Sequence, residues 1–533
     1  MKLNYGEIWR AVAETFPERN AVVTTDGALT YAELADRAGR LRALLRAHGI
    51  RRGDRVMIYL HNRSEHLVAQ FAAYLSGITP VPVNFRYRAR ELGELIDDCD
   101  AVAVIFAASL APVVDELPGD GVRLWLRVED AERPGAPRAG ELSFESLADH
   151  APDLPAAAPA DAELFLYTGG TTGRPKAVVW NVAELLDVQM YSIFGTIGIA
   201  PPSSLEEIIR IASDPATPIP ITMPLAPLMH GTALFTSMNT LVLGGTIVFL
   251  PTASLDTDTA IELIHAHGVT RVIVAGDAIA APLADAAERA GHRLDTLTSI
   301  ISSGMRFTDA VKARLHALGD VTITDLLAST EGGPYAVATS TGADDLPATL
   351  RLFPGAVVLD DDDREAQDRP GARGRLAFRG TLPRGYHGDP KKTAETFREI
   401  GGVRHVVAGD LVEVLGDGRV ELLGRGSAVV NTGGEKVFPA EVEEVLLEHP
   451  EITDAVVFGT PDERFGEVVT AVIAADPARL DAEAVRAHVD ARLAGYKKPR
   501  IIDIRPSLQR SPSGKVDMRR LAAEVAARKE DQR

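Results

Sequence analysis

Residues 167–178 read Tyr-Thr-Gly-Gly-Thr-Thr-Gly-Arg-Pro-Lys-Ala-Val, a stretch rich in glycine and hydroxyl side chains. Apolar segments at 164–166 and 178–180 flank it, so the pattern predicts a loop between two strands. Glycines let backbone N–H groups turn toward phosphate oxygens, threonine hydroxyls add donors, and Arg174 or Lys176 can neutralise charge. The stretch is not a Walker A loop, because Arg174 stands where that motif requires a glycine. Taken alone, it fits a polyphosphate-binding loop and an ordinary hairpin turn equally well.

The bulk properties of the chain indicate a soluble globular protein of two or more domains. It has 533 residues, of which 46% are hydrophobic and 25% charged. The formal net charge of -19 disfavours a nucleic-acid partner, because phosphate backbones would be repelled. The N-terminus lacks a signal-peptide core, and the longest apolar stretches fall short of the roughly 20 residues that span a bilayer. We therefore expect a cytoplasmic protein.

Cys99 is the only cysteine, which excludes intramolecular disulfides and cysteine-rich zinc sites and favours a reducing compartment. Three aspartates, at 97, 98 and 100, surround it. Their negative charge disfavours a thiolate, so we expect a structural cysteine.

The first two thirds of the chain alternate between strand and helix patterns. Thr30 and Glu33 have capping-box spacing at the start of an amphipathic helix that runs to Gly49. Further strands are predicted at 56–60, 81–83, 101–106, 241–250 and 272–274, with helices at 65–75 and 89–98, and an exposed insertion at 199–220. This alternation predicts an α/β fold with mainly parallel sheets flanked by helices.

The pattern changes twice toward the C-terminus. Short alternating segments at 357–359, 375–378, 412–415 and 419–422 predict a small antiparallel β-subdomain. After residue 427 we expect a small α+β unit with a helix at 440–448, strands at 454–458 and 467–473, and a second helix containing Val485, Val489 and Leu493. These segments predict an N-terminal domain of residues 1–424 and a mobile C-terminal domain of residues 425–533, joined by a hinge near Arg425.

Six motifs occur in one order along the chain: the glycine-rich stretch, Ala328-Ser329-Thr330-Glu331, Gly409-Asp410, Gly424-Arg425, Gly433-Gly434-Glu435-Lys436-Val437-Phe438-Pro439 and Ser513-Gly514-Lys515. Together they resemble the adenylate-forming (ANL) superfamily, most closely its acyl-CoA synthetase or fatty-acid–CoA ligase-like branch. The resemblance covers nearly the whole chain. It implies an AMP-forming ligase that first joins a carboxylate to AMP, then rotates its small domain and transfers the acyl group to coenzyme A.

The resemblance also assigns roles to residues. It implies that Lys515 bridges the carboxylate and the α-phosphate, that Glu331 is a catalytic residue and magnesium ligand, and that Asp410 accepts both ribose hydroxyls. His230 resembles a catalytic histidine near the substrate carboxylate. The other implied nucleotide- and coenzyme A-binding residues are Thr168, Gly169, Gly170, Thr171, Thr172, Gly173, Lys176, Ser329, Thr330, Arg425, Gly433, Gly434 and Lys436. The implied cofactors and co-substrates are ATP, Mg²⁺ and coenzyme A.

Several positions depart from the family pattern. Ala177 replaces a usual glycine, and Ser427 occupies a hinge position that is commonly Asp or Lys. The turns at 302–306 and 328 carry larger residues than many relatives have, which implies a smaller substrate pocket and, at Arg306, an added positive charge. The implied pocket residues are Ser303, Gly304, Met305, Arg306 and Ala328. Tyr496-Lys497-Lys498-Pro499 also resembles the family, although two lysines on a solvated face would be ordinary.

Three functions remain open from the sequence. The leading hypothesis is an ATP- and Mg²⁺-dependent ligase that joins a small or compact carboxylic acid to coenzyme A. The first alternative is an adenylate-forming enzyme that activates nitrite for diazotisation of an arylamine in secondary metabolism, and the second is a decayed nucleotide-binding protein. The sequence fixes neither the acid, nor whether the acceptor is coenzyme A or an amine, nor the oligomeric state.

Overall fold

The computed structural model describes residues 3–119, 121–130, 140–169, 175–305, 307–425, 429–508 and 518–531. Its strands are β1 Asn20–Thr24, β2 Gly27–Thr30, β3 Arg55–Tyr59, β4 Thr79–Pro82, β5 Ala101–Ala107, β6 Leu124–Val128, β7 Glu141–Ser143, β8 Glu163–Gly169, β9 Pro175–Asn181, β10 Ile221–Pro224, β11 Thr246–Val248, β12 Arg271–Val274, β13 Ser299–Ser303, β14 Thr322–Ser329, β15 Gly332–Ser340, β16 Leu350–Leu352, β17 Ala356–Leu359, β18 Arg373–Arg379, β19 Gly385–Tyr386, β20 Phe397–Ile400, β21 Val403–Gly416, β22 Arg419–Arg425, β23 Val430–Thr432, β24 Glu435–Val437, β25 Asp454–Asp462, β26 Gly466–Ala474 and β27 Ile501–Arg505.

The α-helices are α1 Tyr5–Thr15, α2 Tyr31–Ala47, α3 Ser64–Ser76, α4 Ala89–Asp98, α5 Ala111–Val114, α6 Val182–Phe194, α7 Leu205–Ser213, α8 Gly231–Val242, α9 Thr257–His267, α10 Asp277–Ala290, α11 Asp309–Leu318, α12 Pro390–Thr396, α13 Pro439–Leu447, α14 Ala482–Asp490 and α15 Met518–Asp531. The predicted capping box is present at the start of α2, where Thr30 and Glu33 each bond the backbone of the other. Within the described residues, no helix combines the length and the apolar composition needed to cross a membrane.

The chain divides into two compact units. The first comprises Met1–Phe85, Ile96–Thr168 and Ala177–Gly424, and the second comprises Arg86–Leu95, Gly169–Lys176 and Arg425–Arg533. Each unit has its own buried apolar core. The domain boundary at 424/425 stays a prediction. The last passage of the chain from the first compact unit to the second also lies between Gly424 and Arg425.

In the main sheet of the first unit, strand pairing changes from parallel to antiparallel. Its strands β1, β11, β10, β12, β13 and β14 are parallel, and β15 then pairs antiparallel with β14. Strands β16, β22, β21, β18 and β17 continue from β15 as the predicted antiparallel β-subdomain. A second, wholly parallel sheet has the order β4-β3-β5-β6-β7. The mixed α/β architecture expected from the sequence is therefore present.

Two sequence expectations about this unit are wrong in detail. The apolar run 241–250 is the end of α8 and the short β11, because Gly244 at φ +67 breaks it. A Cβ at Gly245 would lie 2.3 Å from the Pro220 carbonyl oxygen, so only glycine fits there. The segment 199–220 is not only an exposed insertion, since α7 buries Ile208 and Ile211 in the core. A short apolar run does not by itself distinguish a buried helix from a buried strand.

Cys99 follows α4 and is fully buried. Burial raises the pKa of its thiol to about 12, so the thiolate is disfavoured at neutral pH. This agrees with the structural role expected from the sequence.

The second unit has its own sheet, of order β24-β23-β26-β25, with β27 pairing beside β26. The strands expected at 454–458 and 467–473 are the long hairpin β25–β26, and α13 and α14 correspond to the two expected helices. The second helix is shorter than expected, because α14 contains Val485 and Val489 but ends at Asp490, and Leu493 joins the same buried core from beyond it. The α+β character predicted for this part of the chain is confirmed.

Candidate active site

The glycine-rich stretch lies between two strands, as its flanking residues predict. Strand β8 ends at Gly169 and β9 begins at Pro175. Gly170, Thr171, Thr172, Gly173 and Arg174 lie outside the described residues. Beside β9 runs β19, which pairs Tyr386 with Val178. Strands β8 and β9 are neighbours in a small three-stranded sheet of order β19-β9-β8.

The turn between β14 and β15 carries the predicted magnesium ligand. Ser329 pairs with Gly332, so Thr330 and Glu331 form the tip of the hairpin. Gly332 has φ +156, and a Cβ there would lie 2.7 Å from Val406, so a larger residue would not fit. The Ser329 hydroxyl hydrogen-bonds the Tyr335 hydroxyl at 2.9 Å. Contacts within the chain therefore define the shape of the tip.

Each strand of the small sheet contributes one hydrogen bond to this tip. From β8, the Thr168 hydroxyl donates to Glu331 Oε1 at 3.1 Å. From β9, Trp180 Nε1 donates to the Thr330 carbonyl at 2.9 Å. From β19, the Tyr386 hydroxyl donates to Glu331 Oε1 at 2.8 Å. The structure thus brings Thr168, from the start of the glycine-rich stretch, to the Ser-Thr-Glu motif, although the two are far apart in the sequence.

The Tyr386 phenol stays protonated at all physiological pH values. Its pKa is strongly raised, first by burial and then by the neighbouring Glu331 carboxylate. A neutral hydroxyl beside a carboxylate donates a charge-assisted hydrogen bond, which is stronger than one between neutral groups. Tyr386 therefore acts as a donor to Glu331.

Asp410 lies in an irregular part of β21. Ala377 pairs with Val407 and Arg375 with Leu411, so four residues of β21 cover a distance that two cover on β18. Such a bulge re-aims side chains. Gly409 has φ +81, a conformation that favours glycine, and the Asp410 side chain is buried. The neighbouring stretch of β21 reaches the Glu331 turn, where Val406 contacts Gly332.

His230 immediately precedes α8 and is its N-cap residue. The loop that leads to it is fixed by Asn62, whose amide donates to the Pro224 and Ala226 carbonyls at 3.0 Å each. The Asn62 oxygen accepts from Leu228 N at 2.7 Å. His230 N closes the loop by donating to the Pro227 carbonyl at 3.1 Å. His230 therefore lies on a loop held at three points after the carboxyl end of β10.

Of the predicted pocket residues, Ser303 is the last residue of β13, Gly304 and Met305 follow it, and Ala328 lies near the carboxyl end of β14. Gly304 has φ +85, which favours glycine. Gly276 N donates to the buried Ser302 hydroxyl at 3.1 Å, and Thr308 N donates to Asp277 at 2.9 Å. Residues at the start of α10 therefore hydrogen-bond both Ser302 and Thr308. Arg306 lies outside the described residues.

Three of the predicted site segments lie at the same edge of the main sheet. His230, the 303–305 turn and Glu331 follow the carboxyl ends of β10, β13 and β14, which are parallel members of one sheet. Ligands in open α/β sheets bind at this edge. The first unit therefore assembles one candidate site from three separate segments.

The second unit contains the predicted coenzyme A segment. Gly433 and Gly434 form the turn between β23 and β24 with φ values of +58 and +94, where glycine is favoured. Gly433 N donates to the Phe465 carbonyl at 3.0 Å, and Lys436 pairs with Asn431 in the hairpin. Lys176 and the backbone of Arg425 also belong to this unit. The catalytic-lysine candidate Lys515 lies outside the described residues.

Lys497 is not on a solvated face. It is buried and forms an ion pair with Glu441 at 2.6 Å, whereas Lys498 is more exposed and pairs with Asp490 at 3.2 Å. The expectation that both lysines lie on a solvated face is therefore wrong for Lys497.

Sequence reasoning missed the residues that hold the site together, namely Asn62, Trp180, Asp277 and Tyr386. None belongs to a short motif, because each acts across a contact between distant segments. The one available signal was the position of Trp180 on the strand after the glycine-rich stretch. The others became visible only through the contacts that they make with distant segments of the folded chain.

Comparisons with known proteins identify the family of the chain. The family model described as AMP-binding enzyme matches residues 9–387, and the model described as AMP-binding enzyme C-terminal domain matches residues 441–515. A medium/long-chain-fatty-acid–CoA/3-oxocholest-4-en-26-oate–CoA ligase of Mycobacterium tuberculosis is 37% identical, covering 99% of this chain and 97% of its own length. A feruloyl-CoA synthase of an Amycolatopsis species is 31% identical, with 95% of each protein covered.

The fold also matches solved structures. An amide bond synthetase from Marinactinospora thermotolerans superimposes with a TM-score of 0.80 at 23% identity, covering 98% of this chain and 99% of that one. At that identity the match concerns the fold alone. The two family models and the long relatives together lead to one conclusion: this chain belongs to the AMP-binding enzymes, in the acyl-CoA synthetase branch of the adenylate-forming superfamily, and is an AMP-forming ligase.

Proposed function

We propose that this enzyme joins a compact carboxylic acid to coenzyme A in two steps that consume ATP. In the first step a carboxylate oxygen attacks the α-phosphorus, the bond to the β-phosphate breaks, and pyrophosphate leaves. In the second step the thiol sulfur of coenzyme A attacks the acyl carbon, the bond to AMP breaks, and the thiol proton passes to solvent. The observation that carries the proposal is the Glu331 turn, which receives hydrogen bonds from Thr168, Trp180 and Tyr386 on three strands.

The first step brings two anions together, so it requires cations and donors around the α-phosphate. Lys515 would supply a charge there, and His230 would orient the acid from its fixed loop. Asp410 would accept the ribose hydroxyls, since an ionised carboxylate is an acceptor at both oxygens. The hydroxyls and glycines of residues 168–173 would hold the β- and γ-phosphates.

The residues at the Glu331 turn suit a magnesium ion that arrives with ATP. Mg²⁺ usually binds through one or two carboxylates together with substrate phosphates and waters. The described residues contain no cluster of three or more His, Cys, Asp or Glu side chains able to hold a metal on their own. Glu331 would therefore share the ion with the nucleotide, and the ion would neutralise phosphate charge when bound.

The substrate class follows from the 302–306 turn and from the relatives. Relatives named for medium- and long-chain fatty acids, a steroid acid and ferulic acid define the range of acids to be tested. The larger side chains at Ser302, Met305 and Ala328 favour acids at the compact end of that range. The nitrite alternative keeps adenylation but differs in both steps, because nitrite instead of a carboxylate attacks the α-phosphorus and an arylamine instead of coenzyme A attacks the activated group.

The test measures pyrophosphate release and product formation in the same reactions. Purified enzyme, ATP and Mg²⁺ are incubated with a panel of short, aromatic, fatty and steroid acids, and with nitrite, each with and without coenzyme A. We expect pyrophosphate and a hydroxylamine-trappable adenylate with a compact acid, and a thioester and AMP when coenzyme A is added. Adenylate that forms but gives no thioester when coenzyme A is present would disprove the thiol step. Lack of pyrophosphate release with every acid would disprove the proposed activity.

A further inference from the structure

Two hydrogen bonds converge on one oxygen of the Glu331 carboxylate. The Thr168 and Tyr386 hydroxyls both donate to Oε1, at 3.1 Å and 2.8 Å. Among the residues that the structure describes, no other group hydrogen-bonds Glu331. Glu331 Oε1 therefore accepts two hydrogen bonds, and Oε2 accepts none from the residues that the structure describes.

Tyr386 is itself held rigidly. Its backbone pairs with Val178 across β19–β9, and its N–H donates to the Thr393 hydroxyl at 2.9 Å. The ring packs edge-on against Phe397, with centroids 5.8 Å apart. At the preceding Gly385, which has φ +143, a Cβ would lie 2.3 Å from Thr393, so no side chain fits there. The hydroxyl of Tyr386 is thus fixed in position by backbone pairing and by packing.

A carboxylate on a hairpin tip would otherwise rotate among several orientations. Two donors on the same oxygen remove that freedom, because rotation would break both bonds. Residues that orient a metal ligand in this way usually contribute tenfold or more to metal affinity, without touching the metal. The backbone of the tip is held separately, by the hydrogen bond from Trp180 to the Thr330 carbonyl.

We propose that Tyr386 is a positioning residue that, together with Thr168, holds the Glu331 carboxylate so that Oε2 stays available to the divalent cation bound with ATP. This inference rests on the proposed function, since it assumes that the Glu331 site receives a nucleotide with its metal. It goes beyond that function by assigning a role to a residue outside the motifs.

The test compares ATP binding with and without the metal. Isothermal titration calorimetry gives the Kd of ATP in EDTA and in excess Mg²⁺, and their ratio reports how much the metal strengthens binding. In the wild type this ratio is expected to be well above one. In Tyr386→Phe, which keeps the ring, we expect the ratio to fall about tenfold or more while the Kd in EDTA changes little.

Two further variants distinguish positioning from general damage. Tyr31→Phe removes another buried tyrosine hydroxyl, which donates to the Gly245 carbonyl at 2.7 Å. This matched control should lose comparable thermal stability and keep the wild-type ratio. Glu331→Gln should abolish the metal effect, and adding Tyr386→Phe to it should change nothing more, because the tyrosine acts through the carboxylate.

The outcomes separate the two proposals. A wild-type ratio in Tyr386→Phe, with an altered ratio in Glu331→Gln, overturns the role of Tyr386 alone. An equal fall in Tyr31→Phe and Tyr386→Phe also overturns it, because the effect would then reflect stability. Failure of the wild type to bind ATP, or to release pyrophosphate with any acid, defeats the proposed function instead.

Discussion

Acidification should destabilise the first unit through one buried histidine, His66 on α3. Its side chain is 1% exposed, and Nδ1 has no hydrogen-bonding partner among the described residues. Burial lowers the pKa of this imidazole from 6.5 to about 4. The folded protein therefore keeps His66 neutral at pH values where an unfolded chain would protonate it.

The sign and size of the effect follow from that shift. Between pH 6.5 and pH 4 the unfolded state binds the extra proton, so the free energy of unfolding falls as the pH falls. One pKa unit corresponds to about 1.4 kcal/mol, so the full loss is about 3 kcal/mol. Between pH 7.5 and pH 5 the loss from His66 alone is about 2 kcal/mol.

Urea unfolding followed by tryptophan fluorescence measures this loss. The chain has three tryptophans, Trp9, Trp125 and Trp180, and all belong to the first unit. The comparison is between wild type and His66→Gln, because Gln has similar size and no proton to gain. Subtracting the two pH profiles removes the contribution of every other titrating group.

The expected result is a wild-type free energy of unfolding that falls about 2 kcal/mol more than that of His66→Gln between pH 7.5 and pH 5. His267→Gln is the matched control, since His267 is exposed at the end of α9, and its profile should follow the wild type. Parallel profiles for wild type and His66→Gln would refute the reasoning, because they would mean that His66 is protonated in the folded state.

Three further predictions concern the site. Trp180→Phe removes the donor to the Thr330 carbonyl, so the Glu331 turn should shift. The rate of pyrophosphate release should then fall about 100-fold with little change in the KM for the acid, and a wild-type rate would contradict this role. Asp410→Asn should raise the ATP KM by about 10- to 100-fold, because a charged acceptor is lost, and should reduce discrimination against 2′-deoxy-ATP; unchanged discrimination would show that Asp410 does not bind the ribose. Ser302→Ala leaves the Gly276 N–H without its acceptor, so we expect about 1–3 kcal/mol lower stability and a higher KM for the acid but not for ATP; a rise in both would place the effect outside the acid pocket.

The sequence predicted the elements and the family because those depend on local pattern. The capping box at Thr30, the antiparallel segments after residue 355 and the α+β pattern after residue 427 are each set by neighbouring residues. The six motifs are likewise short runs of consecutive residues, so they can be recognised without the fold. The apolar run at 241–250 was misread because hydrophobicity alone does not distinguish a helix from a strand, and Gly244-Gly245 decides the outcome through contacts elsewhere.

Only the tertiary structure decided which residues support the motifs. Thr168 and Glu331 were singled out from the sequence, but their hydrogen bond, and the presence of Tyr386 beside them, depend on β8, β9 and β19 forming one sheet. Strand pairing brings together residues separated by much of the chain, and no local pattern encodes the partner. The sequence by itself therefore determined the family and the motif residues, while the fold determined which side chains hydrogen-bond the Glu331 carboxylate, because those contacts depend on strands that lie far apart in the sequence.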